Sequence, residues 1–171
     1  MIGPRLSSVL LCALLALLPG CQSYRLGTSA QLSFRSLYIA PITMRALLPQ
    51  AQPILSTHVR EAFARDGRVT LVNDAGQAEA TLQILVRDYH REVATVRPGD
   101  TGLARKFQVT LTAEATLIDN RTGQPLFESR PIVSTRDVFT DRGQQQAEYQ
   151  ILPLLAQDLA QKTAHAVLDT W

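Results

Sequence analysis

Cysteine is nearly absent from this chain. Its 171 residues hold two, Cys12 and Cys21, too few for a cysteine zinc cluster or a disulfide framework. Long hydrophobic runs are absent as well. Val9 to Leu18 is an unbroken apolar stretch of ten residues, but a helix of that length rises only ~15 Å, about half the ~30 Å hydrocarbon core, so it is no membrane span. Neither sign of charge dominates: Lys and Arg number 17 against 15 Asp and Glu. Such a balance argues against a general nucleic-acid or polyanion binder, whose affinity needs a basic field. The three histidines, His58, His90 and His165, form no i, i+4 pair for a metal. There is no internal repeat, low-complexity tract or long linker.

What is present begins ahead of Cys21. Arg5, the apolar stretch Val9 to Leu18 and the small residue Gly20 have the layout of a secretory signal peptide covering residues 1–20. Leu18-Pro19-Gly20-Cys21 resembles a bacterial lipobox, in which the cysteine sulfur takes a diacylglycerol. Cys21 is therefore the expected lipidation site, and the membrane is reached through that anchor. Gln22, where an aspartate would signal retention at the inner membrane, points to the outer membrane by resemblance to the sorting rule. Cys12 leaves with the signal and Cys21 is alkylated, so no disulfide is expected in residues 21–171. A chain of that size buries ~70% of its unfolded surface and suits one domain without staples.

Residues 21–36 are polar and aperiodic and read as a lipidated tether; residues 37–171 read as a single domain. Leu37 to Ile42 looks like a strand, with Pro41 marking an edge or a strand end. Over residues 50–66, Ile54, Leu55, Val59, Ala62 and Phe63 form a stripe at helical period. Pro53 fits the first turn of that helix, and Gly67 is placed to take the left-handed conformation that ends it. Arg68 to Asn73 reads as a short strand, followed by long strands over Ala80–Val96, Lys106–Ile118 and Gln124–Val138. The middle one alternates cleanly, Phe107, Val109, Leu111, Ala113, Ala115 and Leu117 on one face and Lys106, Gln108, Thr110, Thr112, Glu114 and Thr116 on the other. That pattern belongs to a sheet covered on one side only. Pro131 puts the last strand at an edge or on a bulge. Ile151, Leu155, Leu159, Ala166 and Val167 give the apolar side of a closing helix, in which Pro153 either sits in the first turn or kinks a longer helix begun near Gln144. The expected architecture is α+β: two helices packed on one face of a four- to five-stranded, mainly antiparallel sheet. The other face is left open, and function is expected there.

Catalytic groups do not gather anywhere in this pattern. Ser129 and Ser134 lack the glycines of a nucleophile elbow, and Asp88, His90 and Glu92 alternate along one strand face as an exposed hydrogen-bonded cluster rather than a metal site. Phe107 and Phe127 read as core, and Trp171 as a pin at the helix end. No enzyme activity, cofactor or metal is expected.

Several segments together resemble the LPS-assembly lipoprotein LptE family. They are Cys21 with Tyr24-Arg25-Leu26-Gly27, the strand Leu37 to Ile42, the helix end Val59 to Arg68 running into Val69-Thr70-Leu71-Val72, the entry Ala78-Glu79-Ala80 to a strand ending Asp88-Tyr89, and the helix Leu154 to Ala160. Their order and spacing over residues 21–171 carry the resemblance. It implies an outer-membrane lipoprotein that plugs the lumen of an LptD-type β-barrel, helps that barrel assemble and contacts lipopolysaccharide. Arg87 and Arg91 are expected on the open face, with Arg105 and Lys106 across a hairpin from them. Four cations near one end of the sheet would suit the phosphates of lipopolysaccharide, since arginine's planar fork binds phosphate oxygens in pairs. Asp88, Glu92 and Asp100 are the available counter-charges. An accessory lipoprotein of a lipid-transport ABC system and a periplasmic enzyme are the competing readings.

Overall fold

In the computed structural model, the described residues are 32–48, 50–95, 106–139 and 144–169. The chain forms β1 (Ser36–Ile39), β2 (Thr43–Met44), α1 (Ala51–Asp66), β3 (Thr70–Val72), a 3-10 turn (Ala75–Gln77), β4 (Ala80–Thr95), β5 (Lys106–Asp119), β6 (Gln124–Phe139) and α2 (Gln144–Leu168). Signal, lipobox and most of the tether lie outside the described residues. Phe34 is 4% exposed and belongs to the core, and the Arg35 carbonyl accepts the Thr70 N–H at 2.8 Å. Packing therefore begins at least three residues before Leu37.

Sheet order is β3-β1-β4-β5-β6, with β2 also paired to β4. The architecture is α+β with two helices, as the apolar patterns require, but the sheet has six strands and is mixed. β1 runs parallel to both β3 and β4, and β2 runs parallel to β4; only β4-β5 and β5-β6 are antiparallel. Six strands correct the expectation of four to five, and three short parallel pairings make the sheet mixed, although most of its ladder is antiparallel. The reason is the α1 crossover, which carries the chain from β1 to β3 and returns it in the same direction. Pro41 accounts for the extra strand. It has no N–H to give the ladder, so the first strand stops at Ile39 and resumes at Thr43. The backbone still tracks β4 across the gap, with Ala40 N–H to the Leu82 carbonyl at 3.0 Å and Arg45 N–H to the Val86 carbonyl at 2.8 Å.

The helices cover one sheet face. α1 buries Ala51, Leu55, Val59 and Phe63, one residue per turn on a single stripe. It ends where Gly67 takes φ 73° and gives its N–H to the Phe63 carbonyl at 3.2 Å. α2 is one helix from Gln144 with Pro153 inside it, the longer of the two forms the sequence allows. Arg130 donates to the Ala166 carbonyl (2.5 Å) and Lys162 to the Val133 carbonyl (2.8 Å), tying α2 to the edge strand β6. Pro131 lies in that edge strand, opposite Glu114. Beneath the helices, Val109, Leu111, Ala113 and Ala115 of β5 are fully buried, in register with the predicted alternation.

One clasp joins the two helix ends. The Arg68 guanidinium grips both oxygens of Asp66 (2.6 and 3.0 Å) and reaches the Leu168 carbonyl (3.1 Å) and Asp169 (2.8 Å). His165 holds the other oxygen of Asp169 at 2.7 Å. The hydrogen bond from Arg68 keeps the Asp66 carboxyl below its usual range, and those from His165 and Arg68 do the same for Asp169.

Candidate functional site on the open sheet face

β4 breaks its own alternation. Val86 pairs with Ala113, but the next pair is Asp88 with Thr112, so Arg87 is an extra residue in a bulge. A bulge of one residue moves every later side chain to the opposite face. Asp88, His90 and Glu92 therefore oppose the open-face residues Thr112, Thr110 and Gln108, while Tyr89 and Arg91 oppose the buried Leu111 and Val109. Arg87 and Arg91 do not share a face, which corrects the expected grouping. Arg91 instead stands on the helix side with its guanidinium 5.1 Å from the centre of the Phe107 ring.

The remaining cations are spread out too. Lys106 is on the open face at the far end of β5, paired with Asp137 at 2.9 Å and lying 5.8 Å from the Phe139 ring centre. Glu114, the partner of Arg87, is eight residues from Lys106 along β5, about 26 Å at ~3.3 Å per residue. Arg105 lies outside the described residues. His90 contacts Glu92 at 3.1 Å, and among the described residues no three His, Cys, Asp or Glu side chains group closely enough to hold a metal ion.

Around Arg87 the open face forms a cleft of about 490 Å³ where β2, β4, β5 and β6 meet. Arg87 Nη2 donates to Glu114 Oε2 at 2.6 Å. That hydrogen bond holds the Glu114 carboxyl below the usual carboxylate range, burial opposing it, and the nearby charge of Arg45 and the Ser129 hydroxyl add to the effect. Arg45 enters from the end of β2, so the cleft holds two guanidinium groups and one carboxylate. Its uncharged polar lining is Thr43, Gln83, Thr116 and Ser129, and Pro41 and Leu85 supply apolar wall. Ser129 has φ +46°, a left-handed conformation that costs a side chain with a Cβ about 1–2 kcal/mol. Its N–H donates to Thr116 Oγ1 at 3.1 Å.

Of this constellation the sequence pattern flagged Arg87 alone. Arg45 follows a strand of two residues, too short for any period, and Ser129 carries no signal for positive φ. The Pro41 break is the one mark near Arg45 that a sequence displays.

The fold has solved counterparts. A minor lipoprotein from Acinetobacter baumannii superposes with TM-score 0.54 at 20% identity, covering 81% of this chain and 96% of that one. An uncharacterized lipoprotein B from Nitrosomonas europaea gives TM-score 0.54 at 21% identity, covering 80% and 81%. A hypothetical protein of Chlamydia trachomatis gives TM-score 0.56 at 9% identity, covering 78% and 95%. Identities this low establish the shared fold alone. A search among curated proteins finds no match. No described helix is long and apolar enough to cross a membrane. The family model described as LptE, lipopolysaccharide-assembly, matches residues 34–164, the packed domain almost end to end, and the chain belongs to that family.

Proposed function

We propose that this protein is an outer-membrane lipoprotein, anchored through Cys21, that plugs an LptD-type β-barrel and helps it assemble during lipopolysaccharide transport to the cell surface. Membership in a lipopolysaccharide-assembly family over residues 34–164 is the observation that carries the reading, and the lipobox-like Leu18 to Cys21 supports the anchor. A sheet with helices on one face and threonine, glutamine and paired charges on the other suits a plug whose open face meets a hydrated barrel lumen. Lipopolysaccharide contact is assigned to open-face cations, Arg87 at the cleft and Lys106 at the far end, with Arg105 beside it in sequence. Arg91, on the helix side, contacts lipid from the other face of the same hairpin.

Extraction of the tagged, full-length lipoprotein in mild detergent tests this directly. A large β-barrel is expected to co-purify in a stable complex. Recovery of inner-membrane ABC-transporter components instead would replace the plug by the accessory-lipoprotein reading. Cys21→Ser should abolish incorporation of labelled palmitate; label still entering that variant refutes lipidation at Cys21.

A further inference from the structure

We propose that the Arg45–Arg87 cleft is a binding subsite for a sugar acid, a carbohydrate bearing a single carboxylate, rather than for a phosphate group. This deepens the lipopolysaccharide reading above and rests on it, since such glycolipids carry acidic sugars beside their phosphates. Two guanidinium groups and Glu114 leave the cleft with a net charge of one, which matches a monoanion. A phosphate dianion would face Glu114 across the 2.6 Å pair with Arg87 and be repelled by it. The rest of the lining has a carbohydrate's chemistry. Hydroxyls of Thr43 and Thr116 and the amide of Gln83 can pair with sugar hydroxyls, and Pro41 and Leu85 offer apolar surface to the ring's C–H face. At about 490 Å³ the cleft falls within the ~300–1,000 Å³ range of small-molecule sites.

Two local irregularities build the cleft. Arg87 stands in the β4 bulge on the same face as Glu114, and Ser129 holds φ +46° at the cleft's rim. Backbone strain at a non-glycine residue persists where surroundings enforce it, and such positions cluster at ligand sites.

The test uses the full-length lipoprotein in detergent micelles and saturation-transfer NMR with glucuronate, neutral methyl glucoside and inorganic phosphate as probes. Glucuronate is expected to give signal, the glucoside to give none, and equimolar phosphate to leave the glucuronate signal in place. Arg45→Gln and Arg87→Gln should each weaken glucuronate roughly tenfold, the loss of one charge-assisted contact, with thermal melts near those of the unaltered protein because the groups are exposed. Glu114→Gln raises the site's charge and should let phosphate compete. Lipopolysaccharide should displace glucuronate; failure to do so overturns the assignment to the glycolipid. Phosphate displacing glucuronate from the unaltered protein, or no glucuronate signal at all, overturns the sugar-acid subsite. The barrel co-purification assay on unaltered protein reports on the plug independently.

Discussion

β5 and β4 lie side by side, yet they treat the same alternation differently. β5 keeps it through the whole stretch against β4, so that each residue's face follows from its number. β4 keeps it to Val86, inserts Arg87 and continues with the faces exchanged. A strand continuously covered by helices has its register enforced by burial at every second residue; a single misplaced residue would put polar groups under the helices. Beyond Val86 the covering is thinner, with Val93 55% exposed, and an exchange of faces costs less. The bulge sits at the boundary between the two regimes, where it can exchange the faces of the residues that follow without breaking the core.

The sharpest way to break this comparison is to place a charge on each side of β5. Leu111→Asp buries an unpaired carboxylate under α2 and should cost ~4 kcal/mol or more, enough to unfold many domains of ~5–15 kcal/mol stability. Thr110→Asp, on the open face beside Thr135, should stay within ~1 kcal/mol. Equal melting temperatures for the two would show that the faces are reversed.

A second expectation concerns the clasp at the covered side's end. Arg68→Ala removes a forked pair and two further bonds from groups about a third exposed, and should cost ~1–2 kcal/mol by chemical denaturation. Asp66 and Asp169 have folded-state pKa values below their unfolded ones. Their contribution is therefore complete above the unfolded value near ~3.9 and is lost as pH falls through the folded values. Denaturation midpoints between pH 5 and pH 2 should fall less steeply in Arg68→Ala than in the unaltered protein; identical slopes would remove the clasp as their source.

The smallest effect belongs to the open face. Ser129→Gly relieves a positive φ but gives up a hydroxyl beside Glu114 and adds freedom to the unfolded chain, for a net gain of ~0.5 kcal/mol. A measurable loss of stability would mean that the hydroxyl contributes more than the strain costs.

Legibility in the sequence followed the same division. Where burial enforces a period, residues announced their place: Leu55, Val59 and Phe63 in α1, Leu111 and Ala113 in β5, Gly67 at a helix end and Pro131 on an edge strand. Where burial relaxes, they did not. Nothing in Val86-Arg87-Asp88 marks a bulge, because polar residues at an exposed strand end satisfy either register. The parallel pairing of β1 with β3 and β4 was hidden because strands of three and four residues show no difference between the two ladders. The cleft was hidden for both reasons, since it draws on a bulge, a two-residue strand and a strained serine from separate parts of the chain.

The clasp also sets an order of events. Arg68 is bonded to the Leu168 carbonyl and to Asp169, and α2 is the lid over the apolar face of β5. Made from its N-terminus, the chain presents Leu111, Ala113 and Leu117 well before α2 exists to cover them. Until residues 151–169 have docked, the sheet has a bare greasy side and an unclosed seam. Native compaction therefore waits for the C-terminal helix, whose apolar side completes the core.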